Sequence, residues 1–240
     1  MKLLVIGAMH GNEPLGPAVI KKFSQNPAVG VDTLVANEKA YVANCRFVKN
    51  DLNRSFPGNA KSTDYETKRA SEILQICKNY DLVLDFHNTY CPNNNCIFVG
   101  SAAKKNLYSV FLALGLRRVI VADYDCINKY APNCISVEIS LDSKQNNPNL
   151  WYKKIKKLSK TKTKKKYLGL QKYKFVYRIT NNDRDRLNLQ NAGLKAFRKI
   201  PRELALSLGV KTPAYPIFIG DGYTPYNYGG LLSKIEENTT

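Results

Sequence analysis

The chain has only two histidines, no Cys-x-x-Cys pair, no internal repeat and no apolar run long enough to span a bilayer. The missing apolar run leaves no candidate for a membrane-spanning helix within these residues. The amino terminus places one lysine before a short apolar run, which is not a secretory signal pattern, so the cytoplasm is the expected compartment. In that compartment the six cysteines, at 45, 77, 91, 96, 126 and 134, read as reduced thiols. A disulfide or second metal at Cys91 and Cys96 is the lesser alternative. Acidic residues are also scarce, 19 against 37 lysines and arginines, for a net charge of +18. The stretch 153–174 holds eleven of those lysines and no acid. A lysine run without interleaved arginine reads as a solvated helix end and linker, so neither a specific nucleic acid nor a membrane is an expected partner. A basic excess does draw small anions toward a cleft.

What is present is a globular composition, 44% hydrophobic and 23% charged over 240 residues, enough for one large domain or two smaller ones. Apolar strand-like runs at 2–8, 31–36, 81–86, 96–99, 118–122 and 134–140 alternate with helical patterns at 15–23, 62–79, 104–114 and 148–158. The alternation predicts an α/β fold, a parallel or mixed sheet covered by helices. Beyond residue 167 the pattern changes. Residues 173–179 alternate like a strand, 216–219 form a second apolar run, and Gly and Pro punctuate the rest. This predicts a catalytic-type α/β domain over 1–158, a lysine-rich linker, and a smaller β-rich C-terminal domain over 167–240.

Both histidines sit where a strand-like run meets a polar turn: Leu3–Gly7 leads into His10, and Asp81–Phe86 into His87. Ligands gather at the carboxyl ends of strands in open α/β sheets, so the two are placed for one shared site. Glu13 follows His10 across Gly11, and two imidazoles with one carboxylate suit a zinc ion that keeps an open position. The bland alternative is two surface histidines and a solvated glutamate. Asp51-Leu52-Asn53-Arg54 precedes a Pro-Gly turn, where a guanidinium can grip a carboxylate through two parallel hydrogen bonds. Arg46 offers a second cation. Glu138 lies within the apolar run Ile135–Ile139, a costly position unless the acid is paired, functional or on an edge facing water. Near a metal it would suit general acid–base work.

Gly7-x-x-His10-Gly11-Asn12-Glu13, Asp51-Leu52-Asn53-Arg54-x-Phe56, Asp85-x-His87 and Val137-Glu138-Ile139, in that order, resemble the aspartoacylase and succinylglutamate desuccinylase family, a branch of the zinc carboxypeptidase superfamily. The resemblance runs from residue 3 to about residue 140. It implies one zinc ion (Zn2+) per chain on His10, Glu13 and His87, with Glu138 activating water and Arg46 polarising the scissile carbonyl. It also implies that Asn53 and Arg54 bind a substrate carboxylate. Tyr124, fourteen residues before Glu138, matches a substrate-contacting tyrosine of aspartoacylases, and Tyr223 resembles, across a one-residue gap, a tyrosine that returns to the site. One position departs: where aspartoacylases carry an arginine that reads the aspartate side chain, this chain has Asn128, followed by Lys129. The implied activity is zinc-dependent hydrolysis of the amide bond of a small N-acyl amino acid. Succinylglutamate desuccinylase or carboxypeptidase activity and a non-enzymatic basic binding module are the alternatives. A homo-oligomer is compatible with this reading.

Overall fold

The computed structural model describes residues 1–104, 107–160, 169–221 and 227–235. In chain order the elements are β1 Leu3–Gly7, α1 Leu15–Gln25, β2 Val31–Val35, α2 Glu38–Val42, α3 Tyr65–Cys77, β3 Leu82–Thr89, β4 Cys96–Val99, α4 Leu107–Leu114 and β5 Arg118–Val121. There follow α5 Ile127–Tyr130, β6 Cys134–Ser140, α6 Pro148–Lys160, β7 Gln171–Thr180, α7 Asn181–Arg186, α8 Arg202–Ser207, β8 Ala214–Ile217 and β9 Asn227–Ile235. One nine-stranded sheet runs β2-β1-β3-β6-β4-β5-β7-β9-β8. Its first four strands are parallel, β4 is antiparallel to β6, and β9 is antiparallel to both β7 and β8.

Strands β1 and β3 are buried along their whole length because helices cover both faces of the sheet. Leu3 and Val5 of β1, with Leu82, Leu84 and Phe86 of β3, face α1, α4 and α6. The single tryptophan, Trp151 of α6, is fully buried in that layer, edge-on to Phe86, with its indole N–H donating to Gln145 O. Leu4, Ile6 and Val83 take the opposite face and pack on Ala70, Ile73 and Cys77 of α3. Helix α3 starts where the Asp64 carboxylate accepts from Thr67 N, an N-cap that satisfies one of its free amides.

The expected mixed α/β sheet is present. The C-terminal strands do not form a sheet of their own: β7 pairs in parallel with β5, and β9 and β8 continue outward. They carry a separate apolar cluster of Ile179, Leu189, Ile200, Leu208 and Leu231. The lysine run begins as a helix end, as expected. Its first lysines belong to α6, where Lys154 lies over the Trp151 ring and donates to Leu114 O, and residues 161–168 fall outside the described residues. No helix among the described residues is long and apolar enough to cross a membrane. The six cysteines are unbonded. Burial pushes Cys77 and Cys91 to about 12, and Cys96 and Cys134 well above the ordinary thiol value, which makes all four unreactive.

Candidate active site

The carboxyl ends of β1, β3 and β6 deliver the chemistry. After β1, Ala8 takes a positive φ of 56° and turns the chain toward His10. The turn then passes so close to α2 that a Cβ on Gly11 would stand 2.1 Å from the carbonyl carbon of Ala40, so only glycine fits. On β3, Val83, Asp85 and His87 alternate onto the α3-facing side, apolar below and polar at the end that opens on the cavity. Asn88, on the other side, accepts from Leu15 N and so ties the start of α1 to β3.

The Glu13 carboxylate stands between the two imidazoles. Its Oε1 lies 2.7 Å from His10 Nδ1, its Oε2 lies 3.0 Å from His87 Nδ1, and Asn88 N donates to Oε2. The outer ring nitrogens are held by aspartates: His10 Nε2 lies 3.1 Å from Asp51 Oδ1, and His87 Nε2 lies 2.7 Å from Asp85 Oδ2. Burial alone would lower both imidazole pKa values. The flanking carboxylates outweigh it and raise them, His87 well above its ordinary value. Burial would likewise raise Glu13 and Asp51, yet the charges and hydrogen bonds of the imidazoles hold both far below the carboxylate range.

His10, Glu13 and His87 are all buried, and one ligand atom from each lies within 4.8 Å of the others. Two imidazole nitrogens and a carboxylate oxygen make a borderline-soft donor set that fits zinc. Aspartates on the outer nitrogens fix each ring's orientation, as metal-ligating histidines require. The residues present therefore fit the ion the sequence implied.

A cavity of about 120 Å³ opens on this cluster and collects every sequence-expected site residue that is described. Arg46 reaches it with Nη1 3.5 Å from Glu13 Oε1 and Nη2 3.4 Å from Asp51 Oδ2. Glu138, half-buried on β6, is no edge-strand residue, because β6 lies between β3 and β4. Burial pushes its pKa up to about 7, with the nearby Glu13 and Asp221 charges also raising it and His87 opposing. Asn53 accepts from Ile127 N, and the Arg54 guanidinium lies 4.8 Å from the centre of the Tyr124 ring. Burial pushes Tyr124 itself up to about 12, so it stays a neutral hydroxyl. Tyr223 lies outside the described residues.

The position of the missing arginine is filled structurally. The buried Asn128 amide donates to Phe98 O and Cys134 O and accepts from Ser136 Oγ. Lys129 does not replace the lost charge: its ammonium pairs at 2.8 Å with Asp125, and it is not among the residues lining the cavity. Four further charged groups were not read from the sequence. Asp51 and Asp85 lie inside the quoted motifs, and the Asp-x-His spacing on a strand already places Asp85 and His87 on one face. Asp221, whose carboxylate accepts from Thr89 Oγ1, and Arg178 of β7 come from the C-terminal part, where no local pattern marks them.

Comparison with known proteins agrees with this geometry. The profile of the succinylglutamate desuccinylase/aspartoacylase catalytic domain matches residues 1–133. An N-acyl-aromatic-L-amino acid amidohydrolase (carboxylate-forming) of Mus musculus is 32% identical over 126 residues, 45% of this chain and 40% of its own length. A probable aspartoacylase of a Nostoc species is 32% identical over 115 residues, 42% of this chain and 39% of its own. The chain thus aligns with about two fifths of these curated relatives' length. Among solved structures, a succinylglutamate desuccinylase from Chromobacterium violaceum superposes with a TM-score of 0.75 at 14% identity, covering 99% of this chain and 85% of its own. Murine aminoacylase 3 gives 0.66 at 20% identity, covering 98% and 95%. These likenesses establish the zinc-carboxypeptidase-like fold, and the match over more than half of the sequence, across the residues that build the cluster, establishes that the chain belongs to the succinylglutamate desuccinylase/aspartoacylase catalytic-domain family.

Proposed function

We propose that the protein is a zinc-dependent amidohydrolase that releases the amino acid from a small N-acyl amino acid. The observation that carries this reading is the convergence of the buried His10, Glu13 and His87 ligand atoms with the Glu138 carboxylate in one cavity. Zinc held by these three residues would supply Lewis-acid polarisation of the amide and a water of lowered pKa. The protein's own groups do the rest. Glu138, poised near neutrality, takes the proton of the attacking water and delivers it to the departing amine nitrogen as the carbon–nitrogen bond breaks. The products are a carboxylate and a free amine. The Arg46 guanidinium donates to the carbonyl oxygen as negative charge develops there. Arg54 and Asn53 hold the substrate's free carboxylate and so fix the amide beside His10, Glu13 and His87.

Phe175 and Phe218, with Gly229 and Gly230, line the cavity from the C-terminal part, and this narrowing of the site supports a small substrate over a peptide. Activity against a panel of N-acyl amino acids and short peptides, with protein containing one zinc per chain, tests the assignment. Release of amino acid from N-acyl substrates is expected. A zinc-replete protein that hydrolyses only peptides would make it a carboxypeptidase, and one that hydrolyses neither would end the enzymatic reading.

A further inference from the structure

Strand β7 contains a deliberate irregularity. Phe175 pairs with Leu232 of β9, but Tyr177 pairs with the very next residue, Leu231, so Val176 is an extra residue on β7. A bulge of this kind re-aims every side chain that follows it. Before it, Tyr173 and Phe175 pack in the apolar cluster beside the cavity; after it, Tyr177 and Ile179 turn to the other cluster beneath α8. Arg178 is thereby brought onto the same side as Phe175, and both line the cavity. Simple alternation would have put them on opposite faces. The residue opposite Arg178 on β9 is Gly230, where a Cβ would stand 2.5 Å from the Phe175 ring, so the absence of a side chain there keeps the space clear.

The re-aimed guanidinium lies 5.4 Å from the centre of the Tyr124 ring, the ring that Arg54 also approaches at 4.8 Å. A half-buried cation, Arg178, and an exposed one, Arg54, thus share one aromatic ring, and neither has a salt bridge to a carboxylate among the described residues. The nearby acid, Asp51, is already taken up by Arg46 and His10. Burial, then repulsion from Arg54, lowers the Arg178 pKa, so an anion placed between the two guanidiniums would relieve a standing repulsion.

We propose that Arg178 is a specificity-determining residue that holds a second anionic group of the substrate beside the carboxylate gripped by Arg54. This rests on the amidohydrolase reading for the word substrate, but not for the binding it asserts. Because both arginines gather at one ring, the two anionic groups belong to the same end of the molecule. The leaving amino acid is therefore dicarboxylic, and the charge missing at Asn128 is supplied from a different strand.

The test is binding first and turnover second. Calorimetry with L-aspartate and L-glutamate against their amide isosteres, L-asparagine and L-glutamine, reads the site without catalysis. The acids are expected to bind at least ~10-fold more tightly, the size of a charge-assisted contact. Arg178→Gln should collapse that ratio, and Arg178→Lys, which keeps the charge but not the fork, should restore only part of it. In zinc-loaded protein the same variants should lower the ratio of kcat/KM for N-acetylaspartate over N-acetylasparagine. Equal binding of acid and amide by the unaltered protein, or an acid preference that survives in folded Arg178→Gln, would overturn the proposal. So would a loss confined to N-succinyl derivatives of neutral amino acids, which would put the second carboxylate on the acyl side. Normal acid preference in binding with no hydrolysis of any N-acyl substrate would refute the amidohydrolase reading and leave Arg178 as the anion reader.

Discussion

His87 and Glu138 are register partners on the adjacent parallel strands β3 and β6, so their side chains leave the same face of the sheet side by side. The imidazole proposed to hold zinc and the acid proposed to carry the proton are thus spaced by the sheet itself, the most rigid element available. Glu138→Gln keeps the shape and removes the titrating oxygen. It should retain zinc and fold while losing at least ~10²-fold in kcat. Near-normal turnover in a zinc-replete Glu138→Gln protein would remove the residue from the mechanism.

Metal retention depends on what lies behind the ligands. His87→Ala should lose the zinc outright. Asp85→Asn leaves all three ligands in place but alters the partner of His87 Nε2, and should weaken zinc affinity by roughly 10–100-fold. Metal analysis after dialysis against graded chelator separates the two, and Asp85→Asn with unchanged affinity would deny the aspartate any role in holding the ring.

Gly11→Ala tests the turn that presents His10. The added methyl would meet the backbone of Ala40, which cannot move as a side-chain tip can. Overpacking of this sort costs about 1–3 kcal/mol, and here the shift falls on His10, a proposed zinc ligand. A lower Tm together with reduced zinc content is expected. A Tm matching that of the unaltered protein would show that the turn relaxes freely.

Asp183 should shape acid stability. Burial by itself would raise its pKa. Hydrogen bonds from Thr180 N, Thr180 Oγ1, Arg186 and the Tyr177 hydroxyl outweigh this and hold it below the ordinary carboxylate value. A group with a depressed folded pKa stabilises fully above the unfolded value, about 3.9, and loses that contribution as pH falls through the folded value. Asp183→Asn should therefore lower stability at pH 7 and flatten the loss of stability below about pH 4. Denaturant titrations across pH check this, and superimposable acid limbs would exclude the linkage.

The parts of the site legible in the sequence were those carried by short spacings. His10, Glu13, Asn53, Arg54, His87 and Glu138 each lie in a compact motif, and the apolar periods of β1, β3 and β6 aim the histidines and Glu138 at one edge. The C-terminal contribution was illegible for a physical reason. Asp221 reaches the site through a hydrogen bond to Thr89, 132 residues away in the chain. Arg178 depends on a bulge that residue types do not announce, so the apolar alternation of residues 173–179 read as an unbroken strand. Lys129, by contrast, looked available in sequence and is tied to Asp125 in space.

The extra residue at Val176 also sets which kind of genetic change could remodel this cavity. Inserting one residue into β9 between Leu231 and Leu232 would give Val176 a partner, restore strict alternation along β7 and exchange the faces of Arg178 and Tyr177. A guanidinium would leave the cavity and a phenol would enter, with no codon for either residue altered. Selectivity for charged over aromatic molecules is then open to a single insertion on the neighbouring strand, an evolutionary route that comparing residues column by column would miss.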